Sequence, residues 1–498
     1  MNKDYKYYFS SIYWSFFSKI FDAVVKFISI PLLLAYLGKE YYGLLVLVLT
    51  VNAAMHILDL GLNIGGVKFF STWISNKEFN LINKVTRTNI TFYILIGLVN
   101  SIVLIVLANN VSVFNLEDSQ ASIFKYLLYT LAIASIPTWL NEVFKQLIIA
   151  NEKISFIQKT FVIKTILNLA LIIVAINYNY GLVLYFIIFV TINTVLIVPN
   201  IYKCFKDNLI KSILPGLFLS DFSKVFRYSL AIFAMGIFQL CATQSRPLIL
   251  GIFSTEGVEI LADYRIIEVF PLFIISLSGS IISILIPKTS KFIEEKDSKG
   301  LEKIAYNGTK NASIGVALIC LPIIICAKDI LNLYVGVQYE HLDIWLIIWT
   351  CTLILFIHNI PVASILLATG KTKMLVISTG IATTLSIIVN IFLCNILQVG
   401  SAVISYLVYI IFQMSFYYFY FNTKVLKLNS FKIFNSFFTI IVFAIFSILP
   451  TLLLSLDNIY FRLLFKIITW GVTFISLLFI FNKISLKDLN LQKHKYSW

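Results

Sequence analysis

The sequence predicts an all-α polytopic membrane protein of about fourteen transmembrane helices, two pseudo-symmetric six-helix lobes followed by two C-terminal helices. Three observations predict it. Of 498 residues, 59% are hydrophobic and only 13% charged, far from the balance of a soluble domain. The mean hydropathy is +0.91, and apolar runs of membrane-crossing length, about 20 residues each, recur from end to end. The chain also resembles itself at an offset of about 216–220 residues.

The expected spans are 12–36, 41–66, 88–108, 124–149, 156–177, 182–202, 228–252, 262–287, 308–327, 342–368, 373–397, 401–421, 432–455 and 460–481. Residues 1–11 are polar and carry Lys3 and Lys6, but no small-residue cleavage site follows the first apolar run. The first span is therefore expected to be retained, not removed as a signal peptide. The six cysteines lie in spans or at their edges, without metal-site spacing or a loop that could hold a disulfide framework, and read as ordinary core residues.

A formal net charge of +15 could suggest nucleic acid, but its distribution argues against that partner. With the amino terminus inside, most lysines and arginines fall on cytoplasmic segments, among them Lys77, Lys84, Arg87, Lys203, Lys206 and the run from Lys288 to Lys310. Lys39, Lys125, Lys328, Arg462 and Lys466 fall on the far side. The positive-inside rule accounts for this asymmetry and places both termini in the cytoplasm.

The repeat rests on short matches that share one offset. Pro31-Leu32-Leu33-Leu34 and Leu37-Gly38-Lys39-Glu40 parallel Pro247-Leu248-Ile249-Leu250 and Phe253-Ser254-Thr255-Glu256. Ala150-Asn151-Glu152-Lys153 parallels Ala368-Thr369-Gly370-Lys371. Six spans repeating as six in the same orientation imply lobes related by an axis along the membrane normal. The resulting division is an N-lobe 1–202, a basic linker 203–227 around Pro215-Gly216, a C-lobe 228–421, and two added spans with a cytoplasmic tail over 422–498.

Charges inside spans are the chemistry-bearing feature. Five cations, Lys19, Lys26, Lys164, Arg246 and Arg265, stand against three carboxylates, Asp22, Asp59 and Glu268. A charge in hydrocarbon costs at least a few kcal/mol, so such residues mark water-filled routes or ion sites. A positive surplus fits a carrier whose cargo is at least partly anionic. Helical arithmetic gives each span a polar face: Lys19, Asp22 and Lys26 in the first, Asn52, His56, Asp59 and Asn63 in the second. Thr160, Lys164 and Asn168 share a face of the fifth span, and Gln239, Thr243 and Arg246 one of the seventh. In the eighth, Arg265 and Glu268 continue through Ser276, Gly279 and Ser283. Thr379, Thr383, Ser386 and Asn390 line the eleventh, where helix-to-helix glue is as good a reading as a cavity role. Trp345, Trp349 and Phe356 on the tenth read as core packing before sugar stacking.

The turn Leu37-Gly38-Lys39-Glu40-Tyr41-Tyr42-Gly43, the preceding Pro31 to Leu34, and Leu58-Asp59-Leu60-Gly61-Leu62 with Lys68-Phe69 carry a family likeness. In these residues the chain resembles polysaccharide flippases of the Wzx type, in the multidrug/oligosaccharidyl-lipid/polysaccharide exporter superfamily. The motif match covers residues 10–75; beyond it the likeness is architectural. The resemblance implies a non-enzymatic carrier that moves undecaprenyl-pyrophosphate-linked oligosaccharide repeat units to the outer leaflet by alternating access, in O-antigen and lipopolysaccharide synthesis. It implies a multi-pass protein of the bacterial cytoplasmic (inner) membrane, antiport with H+ or Na+, contact with membrane lipids, and a polysaccharide polymerase and chain-length regulator as protein partners. No cofactor and no metal are expected. Lys19, Lys26, Lys164, Arg246 and Arg265 would meet the pyrophosphate, Arg as a fork and Lys as a point charge. Lys26 and Arg246, in equivalent spans, are expected to be the principal contacts. Asn52, Asn63, Asn168 and Gln239 would add hydrogen bonds for sugar hydroxyls. Ion coupling falls to Asp22, Asp59, His56 and Glu268. Asp22 is held by two lysines and Glu268 by Arg265, which leaves Asp59 with His56 as the better proton site.

Three rival functions stand beside this one. A membrane polymerase or glycosyltransferase would need catalytic carboxylates in a sizeable loop, and the longest stretches, 203–227 and 288–307, are basic. There is no phosphate-cradling glycine loop for ATP hydrolysis. A multidrug exporter of the same superfamily commonly carries cations, against the buried positive surplus. A lipid II flippase fits the charge equally well.

Overall fold

The computed structural model describes residues 3–369, 373–453, 456–481 and 483; side chains at 3–9, 12, 231–232, 234–235, 239, 277–284 and 286–288 lie outside the description. Among the described residues every regular element is helical. In chain order the helices are α1 Lys3–Ala54, α2 Leu62–Ser75, α3 Phe79–Asn109, α4 Asp118–Ala150, α5 Ile154–Asn177, α6 Leu182–Val195 and α7 Ile197–Lys206. Then follow α8 Leu219–Phe253, α9 Glu259–Glu294, α10 Ser298–Ile325, α11 Ala327–Val335, α12 Asp343–Ile357 and α13 Ile360–Ala368. The last are α14 Lys373–Leu397, α15 Val399–Phe416, α16 Ser430–Phe446 and α17 Ile459–Ile480, with Tyr417–Val425 continuing α15 as a π-helix.

Eleven helical stretches among the described residues are long and apolar enough to cross a membrane. The chain is a multi-pass membrane protein. One of those stretches, Tyr13–Asp59, is 47 residues long and covers two of the sequence-predicted crossings. Gly38 separates them: its φ of 74° and ψ of 169° interrupt α1 for a single residue. That backbone region is all but closed to side chains, which explains the glycine in the Leu37–Gly43 motif. The second motif has a similar cause. After a 3₁₀ turn at Met55–Asp59, Leu60 and Gly61 both adopt left-handed conformations, with φ of 50° and 73°. Residues 52–63 therefore do not form the continuous helical face that their spacing suggests. Asn52 lies on α1, His56 and Asp59 on the 3₁₀ turn, and Asn63 beyond the break on α2.

Packing divides the chain into two compact units, one of residues 1–269 with 379–405, the other of 270–378 with 406–498. In the first unit α4 is the hub, packing on α2, α3, α6 and α7, while α1 packs along α5 and α8 meets α1, α2 and α3. Its core includes Phe70, Ile82, Tyr93, Trp139, Phe144 and Phe222. The expected linker 203–227 is extended only between α7 and α8, and there it is fastened to α3. Arg87 donates to the carbonyls of Leu214 (3.1 Å) and Pro215 (3.2 Å), and the Phe218 amide donates to Thr88 Oγ1 at 2.9 Å. In the second unit α10 packs on α12, α13 and α16 around Ile304, Val362, Ile365, Leu366 and Phe421. The expected loop 288–307 is helix on both sides of a three-residue link, and Asp297 caps α10 by accepting from the Gly300 amide at 3.0 Å. Trp349 on α12 is buried, with its ring 6.3 Å from that of Tyr406.

The residues of the expected repeat take these places. Pro31 lies inside α1 seven residues before the Gly38 break, and Pro247 inside α8 seven before Ser254, where that helix ends. Of the second pair, Ala150–Lys153 joins α4 to α5, whereas Gly370-Lys371 lies outside the described residues, as does most of the carboxy-terminal tail. Four of the six cysteines are buried; Cys351, expected in the core, is exposed because its side of α12 faces outward, and all six are free.

Candidate functional site

All thirteen candidate positions fall within the first unit, where they form two clusters. The side chain of one, Gln239, lies outside the described set.

The first cluster spans α1, the 3₁₀ turn and α2 to α5. Ser18 on α1 donates to Gln158 Oε1 on α5 at 2.5 Å, fixing the register of the two helices. One turn on, Asp22 and Lys26 form an i,i+4 ion pair at 2.7 Å, with the Lys26 side chain 53% exposed. Lys19 is exposed. Lys164 on α5 is half-buried, its Nζ 4.6 Å from the Phe161 ring centroid. Asp22, Lys26, Glu142 and Lys145 all act on it electrostatically. Two carboxylates and two ammonium groups thus lie within electrostatic reach of Lys164. Asn168, one turn further, has a buried Oδ1 with no hydrogen-bond partner among the described residues.

Asp59 anchors a hydrogen-bonded network behind this face. Tyr93 on α3 donates its hydroxyl to Asp59 Oδ1 at 2.6 Å, and the Asn63 amide donates to Oδ2 at 3.3 Å. The carboxylate thus sits at the first turn of α2, where the amide dipoles favour negative charge. Gln146 Nε2 donates to the Tyr93 hydroxyl at 2.9 Å, and Asn89 donates to Gln146 Oε1 at 2.8 Å. Asn63 Nδ2 donates to Glu142 Oε2 at 3.1 Å, and Lys145 Nζ to Glu142 Oε1 at 2.6 Å. His56 is exposed with its ring edge-on to Trp139 at 5.6 Å. Asn52 is partly buried. Glu142 and Lys145 join the Asp59 network to Lys164, and sequence reasoning missed both. Their signal was present: two opposite charges three residues apart inside the expected span 124–149.

The second cluster lies on α8, α9 and α14. Arg265 Nη1 donates to Glu268 Oε2 at 2.5 Å, and the buried Tyr264 donates to Glu268 Oε1 at 2.9 Å. Tyr42, after the Gly38 break, hydrogen-bonds Arg265. Arg246 is buried at 7% exposure, its Nε donating to the Ala242 carbonyl at 2.9 Å. Asn390 of α14 donates to the Arg246 carbonyl at 3.4 Å and accepts from Ser401 at 2.8 Å, while Thr383 donates to the Phe238 carbonyl at 3.0 Å. Two residues of the α14 polar stripe, Thr383 and Asn390, thus bond to the backbone of α8. Lys39 at the Gly38 break pairs with Asp263 at 2.9 Å, tying α1 to α9. On the eighth span's face, Ser276 donates back to the Phe273 carbonyl of its own helix at 2.7 Å, and the side chains at 279 and 283 lie outside the description. No group of side chains suited to a metal ion occurs among the described residues.

The two clusters set charged and polar side chains on helices of a many-helix membrane bundle, where charge is costly and marks a polar route or ion site. No protein-family model matches the chain, and no curated protein matches it by sequence. Solved structures do. The fold is similar to a structure described as lipid II flippase MurJ in an inward closed conformation, with TM-score 0.70 and 15% identity over 95% of this chain and 99% of that one. It is similar to an inward-facing multidrug resistance MATE family transporter of the MOP superfamily, TM-score 0.64 and 14% identity over 80% and 92%. It is also similar to the MATE multidrug transporter DinF-BH, TM-score 0.61 and 16% identity over 84% and 95%. The fold is thus similar to those of MOP-superfamily transporters.

Proposed function

We propose that the protein is a flippase for undecaprenyl-pyrophosphate-linked oligosaccharide repeat units, carrying them from the cytoplasmic to the outer leaflet of the bacterial inner membrane by ion-coupled alternating access. The observation that carries the reading is Lys164. It is a half-buried cation within electrostatic reach of Asp22, Lys26, Glu142 and Lys145, on a fold similar to that of a lipid II flippase. A pyrophosphate headgroup needs such cations, and the half-buried amides of Asn63 and Asn168 supply donors for sugar hydroxyls. Arg246 and Arg265 are the cations of the second cluster, and Asn52 and Gln239 complete the polar set. Asp59 with His56 is the ion-coupling site of this reading, Asp22 and Glu268 being committed to Lys26 and Arg265. Fourteen crossings, lobes at 1–202 and 228–421, cytoplasmic termini, and a polymerase and chain-length regulator as partners belong to the same proposal.

The similarity to a lipid II flippase across 99% of that chain favours a second reading, in which the cargo is lipid II. Complementation separates the two. Expression in bacteria lacking their O-antigen flippase is expected to restore surface polysaccharide, and in cells depleted of the lipid II flippase to leave lysis unchanged. Rescue of the depleted cells alone would transfer the assignment to lipid II. Failure in both backgrounds, with normal protein level in the membrane, would overturn the flippase reading.

A further inference from the structure

Away from the candidate site, at one end of the second unit, α10, α11 and α17 enclose a cleft of about 580 Å³. Its charged lining is Lys328, Asp329, Glu340, Asp457, Arg462 and Lys466. Asp329 is 9% exposed and receives Arg462 through two hydrogen bonds, Nε to Oδ2 at 3.1 Å and Nη2 to Oδ1 at 2.5 Å. That pair is satisfied and fastens α17 to α11. Lys328 pairs with Glu340 at 3.1 Å. Lys466 differs: its Nζ stands 3.9 Å from Asp329, at the limit of an ion pair, on a side chain only 22% exposed. A second cavity of about 300 Å³, lined by Ile324, Ile325, Ile448, Thr451 and Leu452, also has Lys466 in its wall. The two cavities share Ile325 and Lys466, so an ammonium group marks the boundary between a charged chamber and an apolar one.

We propose that this double cavity binds one zwitterionic, amine-bearing glycerophospholipid. Its phosphate lies on Lys466, its amine on Asp457, and the start of one acyl chain in the apolar chamber. The charges select this occupant. Three cations face three carboxylates in the cleft, so a free polyanion gains no net attraction there. A headgroup that itself carries one charge of each sign, a few ångströms apart, matches the pattern. The apolar chamber excludes a soluble zwitterion as the complete ligand, because leaving it unfilled forfeits the burial of several methylenes at about 0.8 kcal/mol each. The bound lipid completes the junction of α16 and α17 with α10 and is unrelated to the cargo.

The test uses the purified full chain, stripped of lipid by detergent exchange and titrated with dioleoyl phosphatidylethanolamine under native mass spectrometry. The wild type is expected to hold one such lipid per chain. Lys466→Gln should weaken it at least tenfold, and Ile448→Trp, which fills the apolar chamber, should remove it. Lys291→Gln, an exposed lysine elsewhere in this unit, should leave it unchanged. Asp457→Asn should abolish the preference over phosphatidylglycerol. Unchanged retention in both Lys466→Gln and Ile448→Trp would overturn the site. Equal retention of phosphatidylglycerol by the wild type would overturn the zwitterion assignment. Glycerophosphoethanolamine or inorganic phosphate competing as well as the intact lipid would overturn the role of the chain. These competition arms use only wild-type protein, so they decide the matter even where a variant fails to fold.

Discussion

Lys164→Ala is expected to weaken binding of an undecaprenyl-pyrophosphate headgroup about thirtyfold, and Lys26→Ala only about threefold, although both lysines belong to one cluster. The difference follows from their surroundings. Around Lys164 the attraction of Asp22 and Glu142 is set against the repulsion of Lys26 and Lys145. No carboxylate among the described residues is within ion-pair distance of its ammonium group, which sits in a partly desolvated site. A charge-assisted contact to a phosphate oxygen there is worth about 2 kcal/mol, which at 1.4 kcal/mol per decade corresponds to about thirtyfold. Lys26 is committed to Asp22 at 2.7 Å and more than half exposed. An exposed charge of that kind contributes about 0.7 kcal/mol, or about threefold. The assay is the dissociation constant of undecaprenyl pyrophosphate for purified protein in nanodiscs, at 0.1 M and 1 M salt. High salt cuts the screening length from about 10 Å to about 3 Å and should erase the Lys26 effect while sparing part of that at Lys164. Asp22→Asn should then raise the weight of Lys26, so that Lys26→Ala costs more in that background. A Lys164→Ala affinity within twofold of wild type, or a larger loss at Lys26, would refute the reasoning.

Other outcomes follow from the same geometry. Asp59→Asn and His56→Ala should each reduce the ion-gradient dependence of reconstituted transport, and full dependence in both would eliminate this site as the coupler. Tyr93→Phe, which removes the hydroxyl at 2.6 Å from Asp59, should alter that dependence without changing headgroup affinity; an affinity loss equal to that of Lys164→Ala would show that the network belongs to the binding site instead. Gly61→Ala should lower the melting temperature: left-handed strain costs about 1–2 kcal/mol there, and a methyl would also meet the backbone of α8 at Ser229 and Phe233. An unchanged melting temperature would argue against that close approach. A double-mutant cycle on Arg265 and Glu268 should give a coupling of about 1–2 kcal/mol in thermal unfolding, and additivity would mean that the 2.5 Å pair contributes nothing.

Local periodicity explains what could be read from the chain alone. Asp22 with Lys26 and Arg265 with Glu268 were legible because their partners lie one helical turn apart on the same helix. The helix breaks after Pro31 and Pro247 were legible as turns because they recur at one offset. The Asp59 network was not, since Tyr93, Asn89, Gln146 and Glu142 reach it from α3 and α4, and no spacing within one helix announces such a meeting. The break at Leu60-Gly61 is hidden in the sequence for a related reason. Its residues continue the polar spacing of the second span, and a left-handed pair changes direction without changing composition. Arg87 looks like an ordinary cytoplasmic anchor, yet its hydrogen bonds to Leu214 and Pro215 hold the connection before α8.

That break also gives Asp59 its mechanical leverage. An interrupted helix at membrane depth leaves amides that lipid cannot satisfy, so it persists only where protein groups take them up. Asp59 does so for α2, accepting the Asn63 amide while Tyr93 holds its other oxygen. The same start of α2 lies against α8, because Gly61 and Gly65 leave no side chain between α2 and Ser229. On the next position, Gly66 leaves room for Gln146, which in turn holds Tyr93. Neutralising the Asp59 carboxylate therefore weakens the cap of α2 and the Tyr93 bond together, and both act on the helix that carries the contact to α8. A carboxylate merely facing solvent would have no such purchase on the bundle. Its place at a helix break, with α2 and α3 both bonded to one side chain, is the physical reason for proposing the coupling step at Asp59 and not at Asp22, whose charge is answered within its own helix.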